Sequence, residues 1–163
     1  MVEIIDEGDW GHSFFEVYLD VNGNFDHLRS TTTGVFTVCF NEEDKVVLAN
    51  NEPLGGHLEN NETIEEALKR ECLEEGGMKL LKWKYFGYYK ITQKNTAPDT
   101  FKKMYPKESY LIFFLSKGKK IMEPYGEDVK GFQVVDKKDI LNSKRFRHKL
   151  LHEGVKLYPQ YIY

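Results

Sequence analysis

The stretch at residues 55–78, GGHLENNETIEEALKRECLEEGGM, decides the reading of this chain. Asn61 is a suitable N-cap, Glu62 falls in the electropositive first turn and Gly76-Gly77 supplies a stop, so a helix is expected from Glu62 to Glu75. Advancing about 100° per residue from Ile64 places Ala67, Leu68 and Cys72 on one inward stripe. Glu71 and Glu75 fall on the same stripe and Glu74 on its border, so a helix that is apolar inside for two turns becomes acidic inside at its end. Glu71 and Glu75 also form a like-charge pair four residues apart, which is unfavourable unless something positive lies between them.

Hard divalent cations take oxygen ligands, commonly one or two carboxylates together with substrate phosphates, and Glu71, Glu74 and Glu75 suit that need. Arg70 lies off the stripe, four residues after Glu66 and four before Glu74, and is expected to pair with either and orient the acidic helix. Gly55-Gly56 is expected to make a tight turn that brings backbone close to the metal or its phosphates. A glutamate-rich surface helix would account for Glu65, Glu66 and Lys69, but not for carboxylates on the buried stripe.

Gly56, Glu62, Arg70-Glu71, Cys72, Glu74-Glu75, Gly77 and Met78 stand at the spacing of the Nudix box, and the chain resembles that family. Its seven fixed identities would match by chance in a chain this long on the order of once in a million. The resemblance implies an α/β/α sandwich with a mixed sheet, and a hydrolase of nucleoside diphosphates linked to another group. It implies Glu71, Glu74 and Glu75 as ligands of Mg²⁺, or alternatively Mn²⁺, with the Gly55 carbonyl as a further ligand. Glu62 and Arg70, with Gly56 and Gly77, would support the loop–helix unit. The sequence departs from the family in having Leu54, not proline, directly before the double glycine, Cys72 at an aliphatic position, and Gly76 at the helix end.

At 163 residues the chain is expected to form a single domain with residues 1–30 as an N-terminal extension to the box-bearing core. A formal charge of −3 disfavours a protein built around nucleic-acid backbone, leaving at most an RNA 5′ end as a nucleic-acid partner. Two cysteines without metal-like spacing, no apolar run of membrane length and an N-terminus without a basic start give the expectation of a cytoplasmic protein with no membrane association, monomeric or homodimeric.

Phe14–Leu19 is expected as a strand turning back at Asn22-Gly23. Trp10, Phe14 and Phe15 suit core packing, with a nucleobase pocket as the alternative use. Val35–Phe40 and Lys45–Ala49 read as a hairpin joined by Asn41–Asp44. His57 reads as structural, with phosphate contact as its alternative. After an aromatic strand at Leu80–Ile91, the polar segment Gln93–Ser109 carries Lys94, Lys102, Lys103 and Lys107 and is long for a plain connection, as a functional flap or a solvated loop would be.

Tyr110–Leu115 is expected at the centre of the core. Glu123–Asp128 resembles the loop in which mutator-type relatives place a further acid, so Glu127 or Asp128 is a candidate metal ligand or base. Phe132–Val135 reads as a strand, Asp139–Leu141 as a helix start and Lys144–His152 as a basic-faced packing helix. The leading functional expectation is a nucleoside triphosphate pyrophosphohydrolase. ADP-ribose, ADP-sugar or dinucleoside polyphosphate hydrolysis and RNA 5′ pyrophosphohydrolysis follow, and a non-catalytic nucleotide sensor is the alternative from another class.

Overall fold

The computed structural model describes all residues, 1–163. Its centre is an eight-stranded mixed sheet: β1 (Val2–Asp9), β2 (Ser13–Asp20), β3 (Thr32–Phe40), β4 (Val46–Ala49), β5 (Glu52–His57), β6 (Met78–Gln93), β7 (Glu108–Lys120) and β8 (Phe132–Val135). In space they run β1-β2-β6-β7-β3-β5-β4-β8. β3 and β7 pair in parallel, from Thr32 opposite Tyr110 to Phe40 opposite Lys117, and all other pairings are antiparallel.

Side chains alternate across a strand, and in β3 and β7 both sets are apolar because both faces are covered. Val35, Cys39, Ile112 and Phe114 pack on one face with Ile64, Ala67, Leu68 and Cys72 of helix α1 (Ile64–Gly76). Val38, Phe40, Phe113 and Leu115 pack on the other with Ile140 of α3 (Lys137–Asn142) and Leu150, Leu151 and Val155 of α4 (Lys149–Leu157). This is the expected α/β/α sandwich, and Tyr110–Leu115 does lie in its middle.

Several local expectations are corrected. Helix α1 begins at Ile64, not Glu62, because Thr63 is the N-cap: its side chain accepts from Glu66 N–H while the Glu66 carboxylate accepts from Thr63 N–H. Asn61 instead takes a left-handed turn conformation, φ 63°, and Gly77, φ 62°, caps the C-terminus. Gly55-Gly56 is not a turn but part of β5, a strand the reading missed, which pairs with β3 through Val35–Gly56 and Phe36–Gly55. The expected β3–β4 hairpin is reduced to two residue pairs, and the tight hairpin is β4–β5, turned by Asn50-Asn51, both at positive φ.

At the N-terminus the expected strand is Ser13–Asp20 and the turn at Asn22-Gly23 is present, with Gly23 N–H donating to the Asp20 carbonyl, but the hairpin partner is Val2–Asp9, reached through a reversal at Trp10–His12. The polar segment after β6 contains a short helix, α2 (Asp99–Met104). Helix α4 starts only at Lys149, leaving Lys144–Arg147 outside it. No helix is long and apolar enough to cross a membrane, and Cys39 and Cys72 are both free and buried, burial holding their thiols above the usual range.

Candidate active site

The Thr63 cap and Gly77 stop fix the phase of α1, and that phase turns Glu71 and Glu75 toward β5. The Glu71 side chain is only 11% exposed. It can lie there because Gly56 has no side chain: a Cβ on Gly56 would stand 2.4 Å from Glu71 Oε1. One residue away, the Gly55 N–H donates to Glu75 Oε2 at 3.0 Å. Gly55 cannot carry a side chain either, since its Cβ would fall 2.2 Å from the Val35 carbonyl oxygen. The two glycines therefore let a strand approach the acidic end of a helix at contact distance.

Arg70 ties this junction together. Its Nε donates to Glu62 Oε1 at 2.7 Å, one terminal nitrogen to Glu71 Oε1 at 2.8 Å and Glu74 Oε2 at 3.2 Å, and the other to the His57 carbonyl at 3.0 Å and Glu62 Oε2 at 3.1 Å. Glu62 also accepts from Glu59 N–H, and Arg70 draws its carboxyl below the usual range. Of the two expected partners of Arg70, Glu74 is taken and Glu66 is not, because Glu66 is committed to the helix cap.

Burial pushes the Glu75 carboxyl up to about 7; the Gly55 N–H opposes this, while Glu71, Asp128 and Glu74 add repulsion. Glu71 is raised as well, burial outweighing its pairing with Arg70. A buried and a half-buried carboxyl held in this way form a patch whose charge is incompletely balanced by protein. Their hard oxygens suit Mg²⁺ or Mn²⁺ by chemistry. As placed they are shared out between Arg70 and Gly55, and no three His, Cys, Asp or Glu side chains are grouped tightly enough to hold a metal ion.

The loop bearing the other candidate acids is pinned to the same helix end. Tyr125 and Gly126 N–H both donate to the Glu74 carbonyl at 2.8 Å. Both acids are exposed, and of the two only Asp128 comes close enough to raise Glu75. Sequence reasoning missed what holds Asp128: Asn50 Nδ2 donates to its carbonyl at 2.9 Å, and Asn50 Oδ1 accepts from Lys130 and Gly131 N–H at 2.9 and 3.0 Å. The signal was the Asn50-Asn51 pair between two strand-like runs, a pattern that favours a two-residue hairpin.

On the opposite face of the sheet two cavities meet at Trp10, Phe36 and Leu111. One, of about 280 Å³, is closed by His57 and by Phe101 and Tyr105 of the segment after β6. The other, of about 320 Å³, reaches Glu52, Arg147 and His148. Trp10 stacks on Phe15, centroids 4.7 Å apart, and Phe15 packs on the core, while Phe14 is half exposed beneath the Lys94 ammonium. Core packing thus describes Phe15 but not Trp10 or Phe14. Lys94 also pairs with Asp9, and Lys102 donates to the Asn95 carbonyl, so two of the four flap lysines are engaged locally.

His148 lies 3.2 Å from Tyr89 Oη, and its Nδ1 is buried without a partner. Burial and then His152 push its imidazolium down to about 4, against the pull of Asp6; the unfolded histidine titrates near 6.5. The unfolded chain therefore binds the proton first, and the stability present above pH 6.5 is lost as pH falls through about 4. The wild type is expected to lose about 2–3 kcal/mol more than His148→Phe between pH 7 and 4.5, read from urea midpoints of both proteins.

A model of the NUDIX domain family matches residues 30–155. No curated protein matches the chain. Among solved structures, the Bacillus subtilis pyrophosphohydrolase BsRppH is 21% identical, with 93% of this chain and 94% of that one covered at a TM-score of 0.65. A NUDIX hydrolase from Nitrosomonas europaea is 20% identical over 81% of this chain and 92% of that one, TM-score 0.54. A MutT structure from work on Aliivibrio salmonicida and Vibrio cholerae is 19% identical over 76% and 94%, TM-score 0.52. With the family model covering most of its length and the same sheet and loop–helix unit in place, the chain belongs to the Nudix family of hydrolases, which act on phosphoric anhydride bonds.

Proposed function

We propose that this protein is a divalent-metal-dependent pyrophosphohydrolase of nucleoside polyphosphates, with nucleoside triphosphates as the leading substrate class, acting in the cytoplasm as one domain over residues 1–163. The observation that carries the reading is the close packing of buried Glu71 and half-buried Glu75 against the side-chain-free backbone of Gly55 and Gly56. Glu71, Glu74, Glu75 and the Gly55 carbonyl are the groups that would hold Mg²⁺ or Mn²⁺. The metal, when bound, supplies charge neutralisation at the phosphate oxygens and lowers the pKa of the attacking water.

The protein's own part is positioning. Arg70 bridges Glu71 and Glu74 through one terminal nitrogen and fixes Glu62 and the His57 carbonyl, Gly55 N–H orients Glu75, and Asn50 sets the loop that brings Asp128 near. Asp128, whose charge acts on Glu75, is the better placed of the two candidate loop acids for accepting a proton from water. Charge stabilisation and alignment of this kind account for most of the rate in phosphoryl transfer.

The test is phosphate and pyrophosphate release from nucleoside triphosphates, ADP-ribose, diadenosine polyphosphates and 5′-triphosphorylated RNA, with Mg²⁺, with Mn²⁺ and with chelator. Metal-dependent pyrophosphate release from a nucleoside triphosphate is the expected result. Release only from RNA would favour the second reading, removal of a 5′ diphosphate, which the Arg147 and Lys149 side chains beside the second cavity recommend. Binding without turnover across the whole panel would replace both with a nucleotide sensor.

Gly56→Ala tests the strand–helix approach on its own. The added methyl group meets the Glu71 carboxylate at 2.4 Å and must displace it. Turnover is expected to fall about a hundredfold through misplacement of the acid, with the far-ultraviolet spectrum unchanged; wild-type turnover would show that Glu71 is not needed where it stands.

A further inference from the structure

The smaller of the two cavities contains a buried hydroxyl with nothing to bind. Ser13 is 2% exposed, and its Oγ has no hydrogen-bond partner. Leaving a buried polar atom unpaired costs about 1–3 kcal/mol, so such groups in a cavity wall call for a ligand or water to satisfy them. Gln93 is 8% exposed beside it; its Nε2 donates to the Tyr105 carbonyl at 2.8 Å, and its Oε1 makes no bond to protein. Trp10, Phe36, Phe101 and Leu111 supply most of the remaining wall, with Thr33 and Ser109 as further hydroxyls in the lining. A space of about 280 Å³ bounded by flat rings, with a hydroxyl and a carboxamide at one margin, fits a planar heterocycle that carries hydrogen-bonding atoms on its edge.

Register places this cavity against the acidic patch. Phe36, in its wall, is paired across the β3–β5 ladder with Gly55, whose N–H holds Glu75. His57, also in the wall, has its carbonyl bound by Arg70. A molecule seated against Phe36 and His57 can extend over the end of β5 to Glu71 and Glu75 on the other face.

We infer that this cavity holds the nucleobase of the substrate, that Ser13 Oγ and the Gln93 carboxamide read its polar edge, and that the N-terminal hairpin and the α2 segment exist in this chain to build the cavity. The inference rests on the nucleotide reading of the site. It gives Ser13, from the N-terminal extension, and Gln93, at the start of the flap, a role as specificity-determining residues, separate from the charged machinery of α1.

The chain has two tryptophans, and only Trp10 lines the cavity; Trp83 lies on the other side under Lys69. A Trp83→Phe protein therefore reports cavity occupancy through Trp10 fluorescence, without any need for turnover. Titrating it with the four common ribonucleoside 5′-monophosphates should show quenching that favours one base. Ser13→Ala in that background, which removes an unpaired hydroxyl and keeps the fold, should weaken the favoured base about fivefold and the others by less than about twofold. Gln93→Leu should reduce the same preference, and kcat/KM ratios among the nucleoside triphosphates should follow.

Quenching that is equal for all bases, or unaltered by both substitutions, would overturn the inference. So would no quenching at millimolar nucleotide in a protein that hydrolyses nucleoside triphosphates, and in that case the hydrolase reading would stand. Base-selective quenching that depends on Ser13, in a protein without turnover on any substrate, would uphold the cavity assignment while removing the hydrolase reading.

Discussion

Glu75→Gln is expected to lower metal-dependent turnover about a thousandfold, some 4 kcal/mol of transition-state stabilisation, without loss of the fold. The substitution keeps the shape of the side chain and an oxygen that can still accept from Gly55 N–H, now 3.0 Å away. It removes one thing, the negative charge that burial and the neighbouring Glu71, Asp128 and Glu74 already hold at a disadvantage. Thermal unfolding of the metal-free variant should therefore match or exceed that of the wild type, because no charge has to be kept in a half-buried site. With metal added, the wild type should gain more in unfolding temperature than the variant, since only it has the full set of anionic ligands. Wild-type turnover in Glu75→Gln would sink the assignment of this carboxylate. Equal stabilisation of both proteins by metal would place the metal elsewhere.

The sequence carried this patch because its chemistry breaks the ordinary pattern of a helix: acids at Glu71 and Glu75 stand where period 3.6 calls for apolar residues, and no packing demand accounts for them. It also carried β7, where six consecutive apolar residues left no choice but a strand covered on both sides. What it did not show is decided by contacts far along the chain. β5 contains Pro53, Gly55 and Gly56, three residues with poor strand propensity, and is a strand only because β3 and β4 lie on either side of it. β1 is an edge strand with a bulge between Ile4 and Asp6 and mostly exposed side chains, so its alternation is blurred where one neighbour alone defines it.

The Thr63–Glu66 capping box is legible in the sequence and outweighs Asn61, because a threonine followed three residues later by glutamate specifies a helix start more narrowly than a lone asparagine. Of the cavity, the sequence offers Trp10 as a candidate pocket residue but not the enclosure around it. Trp10, Ser13, Phe36, Phe101 and Leu111 come from four separate segments, and only the sheet order β2-β6-β7-β3 brings them to one face.

Arg70 is where stability and site geometry meet, and its removal should show in both. The side chain is 21% exposed and spans Glu62 and Glu71, each 11% exposed, with Glu74 at 30%. Arg70→Gln would leave Glu62 and Glu71 as buried carboxylates without a cation, and truncating one member of a buried ionic cluster costs about 3 kcal/mol or more. The expected result is an unfolding midpoint lowered by that amount in urea, with a further loss of activity because Glu71, Glu74 and the His57 carbonyl lose the group that sets their spacing. Arg70→Lys separates charge from shape. An ammonium restores one positive charge but cannot make the forked set of bonds to Glu62, Glu71, Glu74 and His57 at once. It should therefore recover part of the stability and little of the turnover. Full recovery of turnover by lysine would mean that charge alone is required at this position, and that the geometry imposed by the guanidinium is incidental.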